Sequence, residues 1–165
     1  MKSKITQTEL KKILNYDPKT GVFTWSKNAK RNKGKIAGTT LRDSYIRIKI
    51  TEVQYMAHRL AWLYMTGNWP KNLIDHINLD RSDNKFANLR EANHMQNSHN
   101  RLGKKKRGKV KYKGVYEHVK YNKYVAEIMH KGTRMYLGIF DTQEKARDAY
   151  VEASQKYHAE FGRTE

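Results

Sequence analysis

The sequence predicts an α+β fold built as two small units joined by a basic linker. Two capping-box pairs, Thr6 with Glu9 and Asp141 with Glu144, each open a stretch of helical apolar spacing. Between them, strict alternation such as YIRIKI at 45–50 marks short half-buried strands. Near residue 103 the segment LGKKKRGKVKYKG sets basic residues at 104, 105, 106, 107, 109, 111 and 113 around glycines, with almost nothing to bury. The division expected is therefore a first unit over 1–103, a linker over 104–111 and a second unit over 112–165.

The elements follow in order. Ile5 and Leu10 stand as a hydrophobic staple around the first capping box, so a short helix is expected over 7–14. YDPKTG reads as a turn, VFTW as a strand, and SKNAKRNKGKIAG at 26–38 as a basic loop. In YIRIKI, Tyr45, Arg47 and Lys49 share one face and Ile46, Ile48 and Ile50 the other. MAHRLAWLYMTG has apolar residues at helical spacing and a Gly67 stop. LIDHI reads as a strand, NLDRSDN as a turn and NLRE as the returning strand. Asn93 with Gln96 then caps a helix of about nine residues that Gly103 ends, with Asn97 and Arg101 one turn apart and Asn100 beside them. Beyond the linker, strands are expected at 113–118, 123–130 and 134–140. A helix follows whose inner face is Ala146, Ala149, Tyr150, Ala153 and Tyr157.

Composition narrows the partners. Lys and Arg number 34 against 16 Asp and Glu, giving a formal net charge of +18, and the pI is near 10.0. Such a surface repels itself unless it meets a polyanion: DNA, RNA or an anionic membrane. Hydrophobic residues at 38% are enough for a folded core. The longest apolar run, LAWLYM at 60–65, falls far short of the roughly 20 residues that span a bilayer, so no membrane partner is expected. No secretory signal pattern opens the chain, and the lack of cysteine fits a reducing cytosol.

The stretch DHINLDRSDNKFANLREANHMQNSHN at 75–100 holds the chemistry. Phosphodiester cleavage is one chemistry these residue types fit: it needs an activated water, a Lewis acid for the charge that builds on phosphate and leaving oxygen, and a fixed in-line geometry. His76 is suited to be a neutral general base near pH 7. Asp75 and Asn97 offer oxygen ligands of the kind that suit Mg²⁺ or Mn²⁺. Asn88, across the hairpin, is placed to accept from the imidazole's other N–H and fix its tautomer. Arg101 is placed to steady the scissile phosphate. Strand neighbours point to opposite faces, so Asp75 and His76 can serve one site only if the strand bends or ends there.

These residues resemble a family. Asp75-His76, then Asn88 twelve positions after the histidine and Asn97 nine further on, resemble the ββα-metal core of the HNH endonucleases, particularly the phage and intron-associated homing type. The likeness covers about 56–101 and includes the HRLAW helix and the NLR strand, with asparagine at the third position in place of histidine. It implies a metal-dependent DNA endonuclease that leaves 5′-phosphate and 3′-hydroxyl ends and acts as a monomer or a DNA-assembled dimer. It also implies a phage or mobile-element origin, and with it the cytoplasm of a bacterial host. His58, in the HRL segment, is open between helix packing and chemistry.

A second likeness covers about 112–162. YKGV, the AEI strand and YLGIFDTQEKARDAY resemble the AP2 DNA-binding domain, a three-stranded antiparallel sheet packed on one helix. In that family the sheet lies in the major groove. The resemblance implies base-facing positions at Tyr116, His118, Tyr121, Glu127, Met129, Arg134 and Tyr136, and phosphate contacts at Lys113, Lys123 and Lys131. Tyr116, His118 and Met129 depart from the arginines of plant members, so base preference does not carry over. Lys104, Lys105, Lys106 and Arg107 in the linker would add salt-dependent affinity for double-stranded DNA. Two other readings stay open: a DNA-binding regulator with a degenerate nuclease core, and a basic RNA-binding protein.

Overall fold

The computed structural model describes residues 4–100, 110–162 and 164. The chain divides into two compact units, Met1–Asn93 and His94–Glu165, which are taken in turn.

In the first unit the capping box forms: Thr6 accepts from Glu9 N and Glu9 returns to Thr6 N, opening α1 (Gln7–Ile13). The helix stops one residue before the expected end because Leu14 turns extended. Leu14–Asp17 is β1, which pairs antiparallel with β2 (Val22–Trp25), so YDPKTG is the tip of a hairpin whose first strand sequence reading absorbed into helix and turn. Leu14 and Tyr16 are buried while Asn15 and Asp17 are exposed, a period-2 pattern too short to stand out beside the helix signal. β3 (Thr39–Thr40), β4 (Ile46–Ile50) and β5 (Val53–Met56) make a second antiparallel sheet. Ile48 and Ile50 face inward and Lys49 outward, as the alternation predicts. α2 (Ala57–Thr66) follows, and Gly67 ends it at φ 80°, the left-handed conformation that glycine adopts without steric cost.

β6 (Leu73–His76) pairs with β7 (Leu89–Ala92) as an antiparallel hairpin. The unit's core gathers Leu10, Leu14, Phe23, Ile48, Leu60, Leu63, Ile74 and Leu89, so α1, the first hairpin, the middle sheet and α2 all share apolar surface with the β6–β7 pair.

The second unit begins with α3 (His94–His99), the described part of the helix expected after Asn93. It is tied within its own unit: the His99 ring stacks on His158 with centroids 3.6 Å apart, and Lys113 Nζ donates to the His99 carbonyl at 2.8 Å. β8 (Val115–His118), β9 (Lys123–His130) and β10 (Thr133–Phe140) form an antiparallel sheet in the order β10-β9-β8, close to the three expected spans. α4 (Gln143–His158) packs on one face of it through Ala146, Tyr150 and Ala153 against Val115, Ala126 and Ile128. Its cap is Thr142, accepting from Lys145 N, and Asp141 instead pairs with Lys123. Gly114 allows the close packing: at φ +71° a Cβ there would sit 2.1 Å from the Tyr150 ring. No helix among the described residues is long and apolar enough to cross a membrane.

Candidate active site and sheet face

β6 ends at His76, and Ile77 N already donates to Asn88 O as the chain leaves for the loop. Asp75 and His76 both lie within the regular ladder, opposite Arg90 and Leu89, and no bend separates them. Both side chains are buried, at 4% exposure each. Asp75 faces Arg90 across the hairpin, and Arg90 Nε and Nη2 both reach Asp75 Oδ2 at 2.9 Å.

His76 sits among rings. His58, from the first turn of α2, meets it edge-on with centroids 5.2 Å apart, and Tyr45 lies 5.9 Å away and also contacts His58. Arg81 lies over the outer face of Tyr45 at 4.9 Å. Burial pushes the His76 imidazole below its ordinary range, against the opposing pull of the Asn84 bond and the Asp75 charge. Burial also takes His58 down to about 3, helped by the charges of His76 and Arg59, so His58 is a neutral ring. Its Nδ1 is buried and makes no hydrogen bond among the described residues.

His76 Nε2 lies 3.4 Å from Asn84 Oδ1, and Asn84 Nδ2 donates to Ser82 O at 3.0 Å. The donation to Ser82 fixes which side of the amide is oxygen, and that oxygen only accepts. A hydrogen bond to that oxygen requires the Nε2–H tautomer of the neutral ring.

This corrects one expectation. The Asn88 side chain is not the group on the imidazole; its Oδ1 accepts from Asn78 N at 3.0 Å, and its Nδ2 donates to Asn78 Oδ1 and Asp83 O at 2.9 and 2.8 Å. Asn88 stitches the loop from its far end, and Asn84, read from sequence as a turn residue, makes the contact. The register explains the exchange: His76 pairs with Leu89, so Asn88 falls past the end of the ladder beside Asn78. A cue to Asn84 was available in its place inside a turn-forming run directly after the histidine.

Asn97 lies on α3, half-buried, in the second unit. Arg101 and the linker residues Lys104, Lys105, Lys106 and Arg107 lie outside the described residues. Among the described residues no group of three or more His, Cys, Asp and Glu is placed to hold a metal. The buried Asp75 carboxylate is a hard oxygen donor of the kind that suits a divalent cation such as Mg²⁺ or Mn²⁺.

In the second unit, the sheet face away from α4 carries most of the expected contact residues. Tyr116, Met129, Arg134 and Tyr136 are exposed, with Glu127 and His118 partly so. Register places Arg134 opposite Met129 and Tyr136 opposite Glu127, so each pair shares that face. Tyr121, in the turn after β8, packs its ring 4.7 Å from His118. Val125 joins the face opposite Tyr116, a position the sequence reading left out. Arg134 pairs with Glu127 at 3.5 Å. Lys113 is turned to the His99 carbonyl and Lys123 to Asp141 at 3.0 Å, so two of the three expected phosphate contacts have protein partners here. Lys131 stands exposed in the β9–β10 turn.

Residues 55–99 match the family model described as HNH endonuclease. A solved structure of DNA binding and cleavage by the HNH homing endonuclease I-HmuI is similar at 18% identity, covering 88% of this chain and 85% of that one, with a TM-score of 0.43. No curated protein matches the chain. HNH nucleases generally use a divalent metal. The matched stretch contains the β6–β7 hairpin with Asp75 and His76 at its end. The family-model match over residues 55–99 supports a DNA-cleaving hydrolase.

Proposed function

We propose that the chain is a metal-dependent endonuclease that nicks or cuts double-stranded DNA, with an AP2-like second domain that directs it to its sites. The observation that carries this reading is the buried pair Asp75 and His76 at the end of β6, inside the HNH match.

His76 acts as general base through Nδ1, taking a proton from the water that attacks phosphorus as the bond to the leaving oxygen breaks. Its neutral form is favoured by burial, and its Nε2–H by Asn84. Asp75 would be a ligand to a divalent cation, Mg²⁺ or Mn²⁺, which when bound would supply Lewis acidity at the phosphate and the leaving oxygen. Arg90 orients the Asp75 carboxylate. Asn88 keeps the 77–88 loop in shape, and Arg101 steadies the phosphate. One such site makes a nick; a linear product requires two copies assembled on DNA.

The sheet face with Tyr116, Tyr121, Met129, Arg134 and Tyr136 contacts bases, and the linker tracks phosphates. The domains run 1–103 and 112–165, with 104–111 between them. The setting proposed is the cytoplasm of a bacterial host carrying a phage or mobile element.

Conversion of supercoiled plasmid to nicked or linear forms in Mg²⁺ or Mn²⁺, abolished by EDTA, is the expected result. Cleavage that survives EDTA contradicts the metal-dependent mechanism.

A further inference from the structure

We propose that the N-terminal hairpin β1–β2, which lies outside the matched residues 55–99, positions the general base: Tyr16 holds Asn84, and Asn84 holds the His76 imidazole in its Nε2–H form. This rests on His76 as base.

The chain of contacts is continuous within the first unit. The Tyr16 hydroxyl donates to the Asn84 main-chain oxygen at 2.7 Å, across 68 residues of sequence and in a buried setting. Phe86 N donates to Pro18 O at 3.2 Å, so the hairpin tip grips the loop on both sides of Lys85. Between those two bonds Gly21 presses on the same peptide. At φ +75° its hypothetical Cβ would sit 2.4 Å from Lys85 N and 2.5 Å from Asn84 C, both backbone atoms that cannot swing away. Asn84 itself is 1% exposed, which leaves its amide no solvent alternative to Ser82 O and His76.

Tyr16 is seated rigidly. Its ring packs on Phe23 at 4.6 Å and on Tyr64 at 5.6 Å. Burial, with the charges of Asp17 and Asp83, pushes the phenol up, so it stays a protonated donor.

The physical logic is that of an outer group orienting a reacting one. A histidine base works from one nitrogen only, and the hydrogen bond at the other selects which. A loop residue left to itself would let the amide swing and the tautomer exchange. Fastening its backbone to a hairpin built into the core removes that freedom. Tyr16 and Asn84 are positioning residues, and neither needs to touch DNA.

The test uses the full chain. Long-range ¹H–¹⁵N spectra report the His76 tautomer without reference to activity, and single-turnover cleavage with Mg²⁺ separates kcat from KM. Wild type is expected as the Nε2–H tautomer. Asn84→Ala should mix the tautomers and lower kcat by about 10- to 100-fold with KM for DNA unchanged. Tyr16→Phe keeps the ring packing and removes one hydrogen bond, so it should lower kcat by roughly five-fold and shift the His76 ring signals. If Asn84→Ala does not fold, Tyr16→Phe decides alone. A wild-type Nδ1–H tautomer, or a folded Tyr16→Phe with unchanged kcat and unchanged His76 signals, overturns the proposal. If wild type has the expected tautomer but cuts no DNA, the positioning stands and the nuclease mechanism fails.

Discussion

Asp75 and Arg90 face each other across the β6–β7 hairpin, with two guanidinium nitrogens within 2.9 Å of one carboxylate oxygen and side chains only 5% and 12% exposed. Buried pairs of this kind contribute little net stability when intact, but losing one partner strands a charge. Arg90→Met should therefore destabilise the protein by about 3 kcal/mol or more. Arg90→Lys keeps the charge but not the fork, and should fall between it and wild type. Urea unfolding of the three proteins checks this; equal midpoints contradict it.

His58 gives a pH signature. The folded protein keeps this ring neutral down to about 3, while the unfolded chain protonates near 6.5. Its contribution to stability is whole above about 6.5 and shrinks as pH falls from there toward 3, by up to about 1.4 kcal/mol per pH unit. The downward shift of His76 acts in the same direction. Unfolding free energy measured from pH 7 to pH 4 should show this slope, and His58→Phe should show less of it by up to one proton. A variant with the wild-type slope contradicts the assignment.

Gly114 tests the second unit separately. A methyl group there would meet the Tyr150 ring at 2.1 Å and Glu127 O at 2.6 Å, on a backbone at φ +71°. Gly114→Ala should cost more than about 2 kcal/mol, from overpacking and strain together. Thermal unfolding reads it as a drop in the second unit's transition, with α4 docking lost first.

The sheet face tests the targeting proposal. Tyr136 is 63% exposed and Arg134 reaches only Glu127 among the described residues, so neither supports the core. Tyr136→Ala and Arg134→Ala should leave the melting temperature within a degree or two, yet weaken duplex binding by about 1–3 kcal/mol each. Binding measured at a single salt concentration decides it, because phosphate affinity varies steeply with salt. Unchanged affinity in both variants removes this face from the DNA contact.

What could be read from sequence followed the strength of the local signal. The sheet of the second unit was legible because alternation over eight residues, as in β9, has little competition. Ala126 and Ile128 face inward as expected. β1 was not legible: four residues beginning at Leu14 directly after a helix look like its last turn, and only pairing with β2 reveals a strand. Asp75 and His76 stood out because an acid beside a histidine within an asparagine-rich hairpin is uncommon. Asn84 rather than Asn88 meets the imidazole, a contact that spacing along the chain does not fix across a loop. A one-residue difference at the ladder's end, with Leu89 rather than Asn88 opposite His76, decides which amide meets the imidazole. His58 was singled out without a role, and its packing with Tyr45 around His76 was not legible, since ring contacts between α2, the residue before β4 and β6 depend on tertiary packing.

The measurement that tests the central claim most directly compares wild type with His76→Ala on DNA that both bind with equal affinity, in Mg²⁺. Wild type should convert supercoiled DNA to nicked circles, and the variant should do so between about 100- and 10 000-fold more slowly, as expected for loss of a general base. Equal cleavage rates would contradict the assignment of His76 as the base and with it the active site described around β6.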